Sequence, residues 1–163
     1  MSRLSRHAKV SQIFLHRGGG YPRAEYLKKI GYFGSIGEHC YLQPWNFGTE
    51  PERIFFGNNV HVASGVTFIN HDITAWMFRF MDQNDTYQER KGSIKVGNNV
   101  FIGSNSTVLY DVHIGNNVII GAGSLVNRDI PDGAVAAGVP CRVVGKFEDY
   151  KFKITHGLYN HGK

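Results

Sequence analysis

The chain has 163 residues, 42% hydrophobic and 19% charged, with 18 Lys/Arg against 13 Asp/Glu and a net charge of +5. That size and balance fit one folded domain and exclude an intrinsically disordered chain. No apolar run approaches the roughly 20 residues of a membrane-spanning helix. The start, MSRLSRHAKVSQIFLHRGGG, lacks the unbroken apolar core of a secretory leader, so a cytoplasmic location is expected. The two cysteines, Cys40 and Cys141, have no metal-ligand spacing and read as free thiols in a reducing compartment.

Residues 1–29 hold seven basic residues (Arg3, Arg6, Lys9, Arg17, Arg23, Lys28, Lys29) against one acid, Glu25; the rest of the chain has 11 basic and 12 acidic residues. The positive excess is therefore local. It suits a phosphate or an anionic membrane surface, with a merely solvated basic start as the competing reading. Nucleic-acid binding has only this feature behind it and is not expected. Tyr21–Ile30, with Pro22 near its start and Gly31 after it, reads as a short helix capping the repeat region.

From residue 36 onward, apolar residues recur at six-residue steps. Ile36 and Leu42 begin a first, irregular coil; Phe56, Val62 and Phe68 form a second, with Val60 and Val66 in partner positions. Val96, Ile102, Val108, Ile114, Ile120 and Val126 continue the series, each preceded at two residues by an aliphatic or small residue: Ile94, Val100, Ser106, Val112, Val118 and Ser124. One unit reads as in–out–in followed by a three-residue corner, as in Ile94-Lys95-Val96 before Gly97-Asn98-Asn99. Gly and Asn tolerate left-handed backbone angles, so GNN makes a sharp corner. GNNV recurs at Gly57–Val60, Gly97–Val100 and Gly115–Val118; the last spacing is 18, and 18/6 gives three sides. The expected fold is mostly β: a triangular parallel β-helix whose coils are stable only when stacked.

Two intervals break the count. Leu42 to Phe56 is 14 residues instead of 12, which puts a two-residue bulge near Asn46–Arg53, where Pro51 lies. After Phe68 the next inward position falls on Asp72, which an apolar interior rejects; Ile94, 22 residues later, fits it. The chain is expected to leave the coil after His71 as a loop over 72–93, whose first half, Trp76-Met77-Phe78-Arg79-Phe80, is apolar enough to act as a packed lid or wall.

Stacking brings corners into ladders. Ala63-Ser64-Gly65, Gly103-Ser104-Asn105 and Gly121-Ala122-Gly123 form one without bulk, a lane where backbone N–H groups would open to a ligand; tight corners alone would also explain it. Phe101, Ile119 and Leu125 point outward, which suggests a partner subunit or a terminal helix over them. His71 sits where the repeat breaks. A neutral imidazole there is suited to take a proton from an attacking hydroxyl, with Asp72, Asp82, Asp85, Glu89 or a backbone carbonyl as its orienting partner.

The repeat, the INHD corner and IGAGSLVNRDIPDGAVAAGVPCRVVGK resemble the hexapeptide-repeat acyltransferases, nearest the sugar and capsular-polysaccharide O-acetyltransferases, over roughly residues 31–146. The resemblance implies a left-handed coil, an exception to right-handed crossovers, and a homotrimer using acetyl-CoA. It implies His71 as catalytic base; Ser104 and Ala122 as backbone contacts to the coenzyme; Asn127, Arg128 and Arg142 near its nucleotide and phosphates; and Ser64, Asp72, Trp76 and Phe101 around the acceptor. Phe101 stands where many relatives have Trp, and Ser64 where many have Asn. The N-terminal motif of maltose and galactoside acetyltransferases is missing from residues 1–30, which favours a surface-polysaccharide acceptor.

The expected organisation is a basic segment and capping helix (1–35), the β-helix (36–146) with its loop (72–93), and a tail (147–163) packed outside or mobile. The expected activity is acetyl transfer from acetyl-CoA to a sugar hydroxyl, with no metal. Transfer to an amino sugar, and a non-enzymatic β-helical scaffold, are the competing readings. A trimeric carbonic anhydrase would need three His ligands, which His71, His113, His156 and His161 do not supply at a suitable spacing.

Overall fold

The structure is a computed structural model that describes residues 19–158. Arg3, Arg6, Lys9 and Arg17 lie outside them, as does His161, so four of the seven basic residues of the start fall outside the described residues; of the other three, Lys28 pairs with Glu38. Among the described residues no helix is long and apolar enough to cross a membrane.

The chain begins with helix α1 (Gly20–Lys29), whose buried Ala24 and Leu27 face the core. Arg23 is buried too, and its guanidinium donates to the carbonyls of Leu42, Gln43 and Pro44, tying α1 to the first coil. Short strands come next: β1 (Ser35–Ile36), β2 (Tyr41–Leu42), β3 (Ile54–Phe56), β4 (Val60–Val62) and β5 (Thr67–Ile69). After the excursion come β8 (Ile94–Val96), β9 (Val100–Ile102), β10 (Thr107–Leu109), β11 (Val112–Ile114), β12 (Val118–Ile120), β13 (Leu125–Val126) and β14 (Ala134–Ala137). The chain visits three parallel sheets in rotation, ordered β1-β3-β8-β11, β2-β4-β9-β12-β14 and β5-β10-β13.

The registers are those of a six-residue step. Ile54, Ile94 and Val112 stand in line in the first sheet, Val60, Val100 and Val118 in the second, and Phe68, Val108 and Val126 in the third. All these side chains are buried. Full burial of a branched aliphatic is worth about 1.5–3 kcal/mol, so the inward stripe of stacked coils is the main stabilising term. At the N-terminal end the interior is aromatic. Phe33, Phe47, Phe56 and Phe68 pack with ring centroids 4.9–5.7 Å apart.

The GNN corners hold by a second device. Asn59, Asn99 and Asn117 take left-handed angles, with φ between 53° and 56°. The Asn58 N–H donates to Asn98 Oδ1 (2.8 Å), the Asn98 N–H to Asn116 Oδ1 (2.9 Å), and the Asn116 N–H to Asp132 Oδ1 (2.7 Å). The corner is thus a ladder of carboxamides that ends on a carboxylate. That bond holds the Asp132 carboxyl below its usual range.

Two segments differ from the expected loop and tail. The excursion contains helix α2 (Thr74–Asp82) between β6 (His71–Asp72) and β7 (Arg90–Lys91), which pair antiparallel and close its base. Ile73, Trp76, Met77, Phe80 and Met81 recur at helical spacing, which is why the segment coils; all five are exposed. After β14 the chain reverses into β15 (Arg142–Lys146), antiparallel to β14, and continues as helix α3 (Phe147–Thr155). Phe101, outward on the second sheet, remains 45% exposed, and Ile119 and Leu125 are half-buried.

Candidate active site

The two breaks in the repeat meet in space. The third sheet stops at β5, and among the described residues no strand precedes β5 in it; the Asn46–Arg53 bulge packs there instead. Phe47 plugs the core against Phe68, with ring centroids 5.7 Å apart, and so pins the bulge. Gly48 takes φ +79°, a backbone angle that a side chain would strain, and Pro51 opens a single 3-10 turn, Pro51–Arg53. Between these fixed points Thr49 and Glu50 are presented to the corner at His71.

His71 Nδ1 lies 2.9 Å from Glu50 Oε2, both side chains half-buried. Thr49 Oγ1 donates to the same carboxylate at 2.6 Å and lies 3.2 Å from Nδ1. With Nδ1–H donated to Glu50, the neutral ring keeps its lone pair on Nε2, the arrangement a general base requires. A cavity of about 200 Å³ opens beside the ring, lined by Asn46, Gly48, Thr49, Thr67, Phe68, Ile69, Asn70 and His71.

The acid that pairs with His71 is therefore Glu50, and the four acids named from the sequence are engaged elsewhere or do not reach the ring. Asp72 accepts from the Thr74 hydroxyl (2.6 Å) and the Tyr110 hydroxyl (2.7 Å), which hold its carboxyl below the usual range. Glu89 accepts from the Trp76 indole N–H (2.7 Å) and pairs with Lys91 (3.1 Å). Asp82 accepts from the Tyr87 hydroxyl (2.6 Å). Asp85 makes no contact with His71 among the described residues. Glu50 carried one signal in the sequence: it lies inside the counted bulge, the other place where the repeat fails.

The remaining predicted residues do not gather at this cavity. Asp72 pins the excursion to the next coil through Tyr110, where Arg90 stacks 4.7 Å over the Tyr110 ring. Trp76 is tied into the excursion by Glu89 and Arg79. Ser64, Ser104 and Ala122 form the expected corner lane, but most of its N–H groups are used. Ala63, Gly103, Asn105, Gly121 and Gly123 donate to carbonyls of the next or previous coil. Among the described residues the middle N–H groups of this lane, those of Ser64, Ser104 and Ala122, make no backbone hydrogen bond, and neither does that of Gly65. Asn127, Arg128 and Arg142 are exposed, and Arg142 donates to the Cys141 carbonyl at 2.7 Å. Among the described residues no three His, Cys, Asp or Glu side chains gather as a metal site.

Comparison with known proteins shows the family of the chain. Residues 93–128 match the family model of the bacterial transferase hexapeptide (six repeats). The chain is 45% identical over 132 residues to the protein CapG of Staphylococcus aureus, spanning 78% of this chain and 73% of CapG. It is 35% identical over 158 residues to a galactoside O-acetyltransferase of Lactococcus lactis, spanning 85% of this chain and 72% of the relative. A solved galactoside acetyltransferase in complex with coenzyme A superposes with a TM-score of 0.62 at 25% identity, over 99% of this chain and 85% of that one. The chain belongs to the hexapeptide-repeat acyltransferases.

Proposed function

We propose that this chain transfers the acetyl group of acetyl-CoA to a hydroxyl of a sugar or of a surface-polysaccharide precursor. The observation that carries the reading is the 2.9 Å contact between His71 Nδ1 and Glu50 at the lip of a cavity. Two galactoside O-acetyltransferases among the relatives, and a structural neighbour holding coenzyme A, support the donor and the acceptor class.

Acetyl-CoA supplies the activated thioester. Glu50 accepts Nδ1–H and fixes the tautomer; Nε2 of His71 takes the proton from the acceptor hydroxyl and later returns it to the departing thiolate. The free N–H groups of Ser104 and Ala122 are suited to hold the donor's amide arm, and exposed Arg128 and Arg142 its phosphates. Asn127 belongs to the same end. Ser64, Asp72, Trp76 and Phe101 belong to the acceptor side from outside the cavity, Asp72 and Trp76 by fixing the excursion that walls it and Ser64 and Phe101 on the coil faces toward which a longer glycan acceptor would extend.

In the same reading residues 36–146 form the acyltransferase coil, left-handed and triangular in section, three copies of which associate through the exposed outward face around Phe101. Light scattering of the purified protein tests the trimer. The test of function is release of free CoA from acetyl-CoA over a panel of sugars, nucleotide sugars and glycan fragments. Turnover with at least one hydroxyl acceptor is expected; acetyl-CoA left intact across the panel would overturn the reading.

A further inference from the structure

Asn70 immediately precedes His71 and is 1% exposed. Both polar atoms of its side chain, Nδ2 and Oδ1, are buried without a hydrogen-bond partner. Among the described residues the other buried unpaired side-chain atom is Arg23 Nε, in a guanidinium that already donates to three carbonyls. The Asn70 backbone is well anchored: its carbonyl accepts from the Gly92 N–H at 2.8 Å, where the excursion rejoins the coil. The side chain alone lacks a role in the fold. A buried polar group without a partner costs about 1–3 kcal/mol, and an amide carries two such groups here.

The surroundings are arranged to keep this amide where it is. Gly48 lies directly over it, and a Cβ at position 48 would run into Asn70 Oδ1 and stand 2.8 Å from the Phe68 carbonyl. Both residues line the cavity of about 200 Å³ that also holds His71 and Thr49. A leucine branches at the same atom as an asparagine and would fill the place with two methyl groups, somewhat bulkier than the amide but without unpaired polar atoms.

We propose that Asn70 is a further acceptor-binding residue, whose carboxamide hydrogen-bonds a polyhydroxylated acceptor in the cavity, directly or through one held water, beside the hydroxyl that His71 deprotonates. A carboxamide offers one donor and one acceptor side by side, which suits a sugar hydroxyl that must both give and receive. The inference rests on the acetyltransferase reading above.

The test is Asn70→Leu, with Asn70→Ala as a second variant, in the full-length protein. The melting temperature of Asn70→Leu should equal or exceed that of wild type, because removing two unpaired buried polar atoms outweighs the closer fit of a bulkier apolar group. The KM for the sugar acceptor found in the panel should rise about 10–100-fold, the range of one to two lost hydrogen bonds to a ligand. The KM for acetyl-CoA should stay unchanged. A melting temperature lowered in both variants with an unchanged acceptor KM would overturn the proposal and make Asn70 structural. The thermal measurement needs no substrate. Inactivity of the wild type over the whole panel would refute the acetyltransferase reading, and with it the proposal, even where Asn70→Leu melts no lower than wild type.

Discussion

The coils on either side of the excursion are built from the same six-residue unit and put to different uses. From Ile94 to Val126 the strands alternate without error, the corners carry Asn98, Asn99, Asn116 and Asn117, and the hydrogen bonds run from coil to coil. From Ile36 to Lys91 the count fails twice, and Thr49, Glu50, Asn70 and His71 converge where it fails. A regular stack satisfies its own polar groups and leaves little to spare for a ligand. A site needs polar groups that the stack does not consume, and the bulge and excursion provide them. The regular coils contribute the N–H groups of Ser104 and Ala122, in a corner ladder that lacks the carboxamides closing the GNN corners.

If this division is right, substitutions in the two regions should separate activity from stability. His71→Ala should lower kcat by about 10²–10⁴-fold and leave the melting temperature nearly unchanged, since the ring is half-buried and pairs with the side chains of Glu50 and Thr49, outside the apolar core. Steady-state kinetics beside a thermal scan decides it. Ile114→Ala is the converse. Ile114 is fully buried in β11 of the regular half, and its truncation should cost about 2–5 kcal/mol while the folded fraction keeps its wild-type kcat. Denaturant unfolding measures the first quantity and active-site-normalised kinetics the second. A large loss of kcat in Ile114→Ala would erase the distinction between the regions.

Glu50→Ala should have the next effect. Loss of the orienting carboxylate leaves the imidazole free to turn and to choose its tautomer, and kcat should fall roughly 10–10³-fold, less than for removal of the base itself. The acceptor KM should hardly move, and Glu50→Gln, which keeps an oxygen for Nδ1–H to donate to, should recover part of the loss. Equal loss in both variants would mean that the carboxylate does more than orient.

Much of the regular half was legible from spacing because each position there is fixed by its neighbours at six and eighteen residues. The left-handed angles of Asn59, Asn99 and Asn117 follow from residue type and corner position. The site was legible only as a place. His71 stands out by where the count breaks, yet its partner does not: Glu50 lies 21 residues earlier in the segment that has no period, so no register assigns it a neighbour. Phe47 decides the matter by entering the core against Phe68, and one aromatic among 11 phenylalanines does not announce that. Helix α2 is a different case. Ile73, Trp76, Met77, Phe80 and Met81 carry a helical spacing, but the leftover length of 22 residues reads as loop when the surrounding period is the ruler. Burial of Asn70 has no signature in sequence, since the cover comes from Gly48.

The smallest effects belong to two carboxylates, one in each region. Asp132 ends the carboxamide ladder, and the Asn116 N–H holds its carboxyl below the usual value of 3.8. Asp72 fastens the excursion, and the hydroxyls of Thr74 and Tyr110 lower it in the same way. A depressed carboxyl contributes stability that is present above the unfolded-state value and is lost as pH falls through the folded-state value. Both bonds should therefore persist at neutral pH and fail on acidification below the ordinary carboxylate range, with different consequences. Asp132→Asn keeps an amide oxygen on the last rung, so it should remove the local acid dependence without loosening the ladder at pH 7. Asp72→Asn keeps an acceptor for one hydroxyl only, so it should loosen the base of the excursion. Hydrogen exchange at pH 7 and at acid pH reads both. The Gly92 amide, which donates to Asn70 where the excursion closes, should exchange faster in Asp72→Asn at pH 7. The Asn116 amide should exchange at its wild-type rate in Asp132→Asn at pH 7, and should lose less protection than the wild type when acidified. Faster exchange at Asn116 in Asp132→Asn at neutral pH would show that the ladder depends on the charge of its final rung and is not held by carboxamide geometry alone.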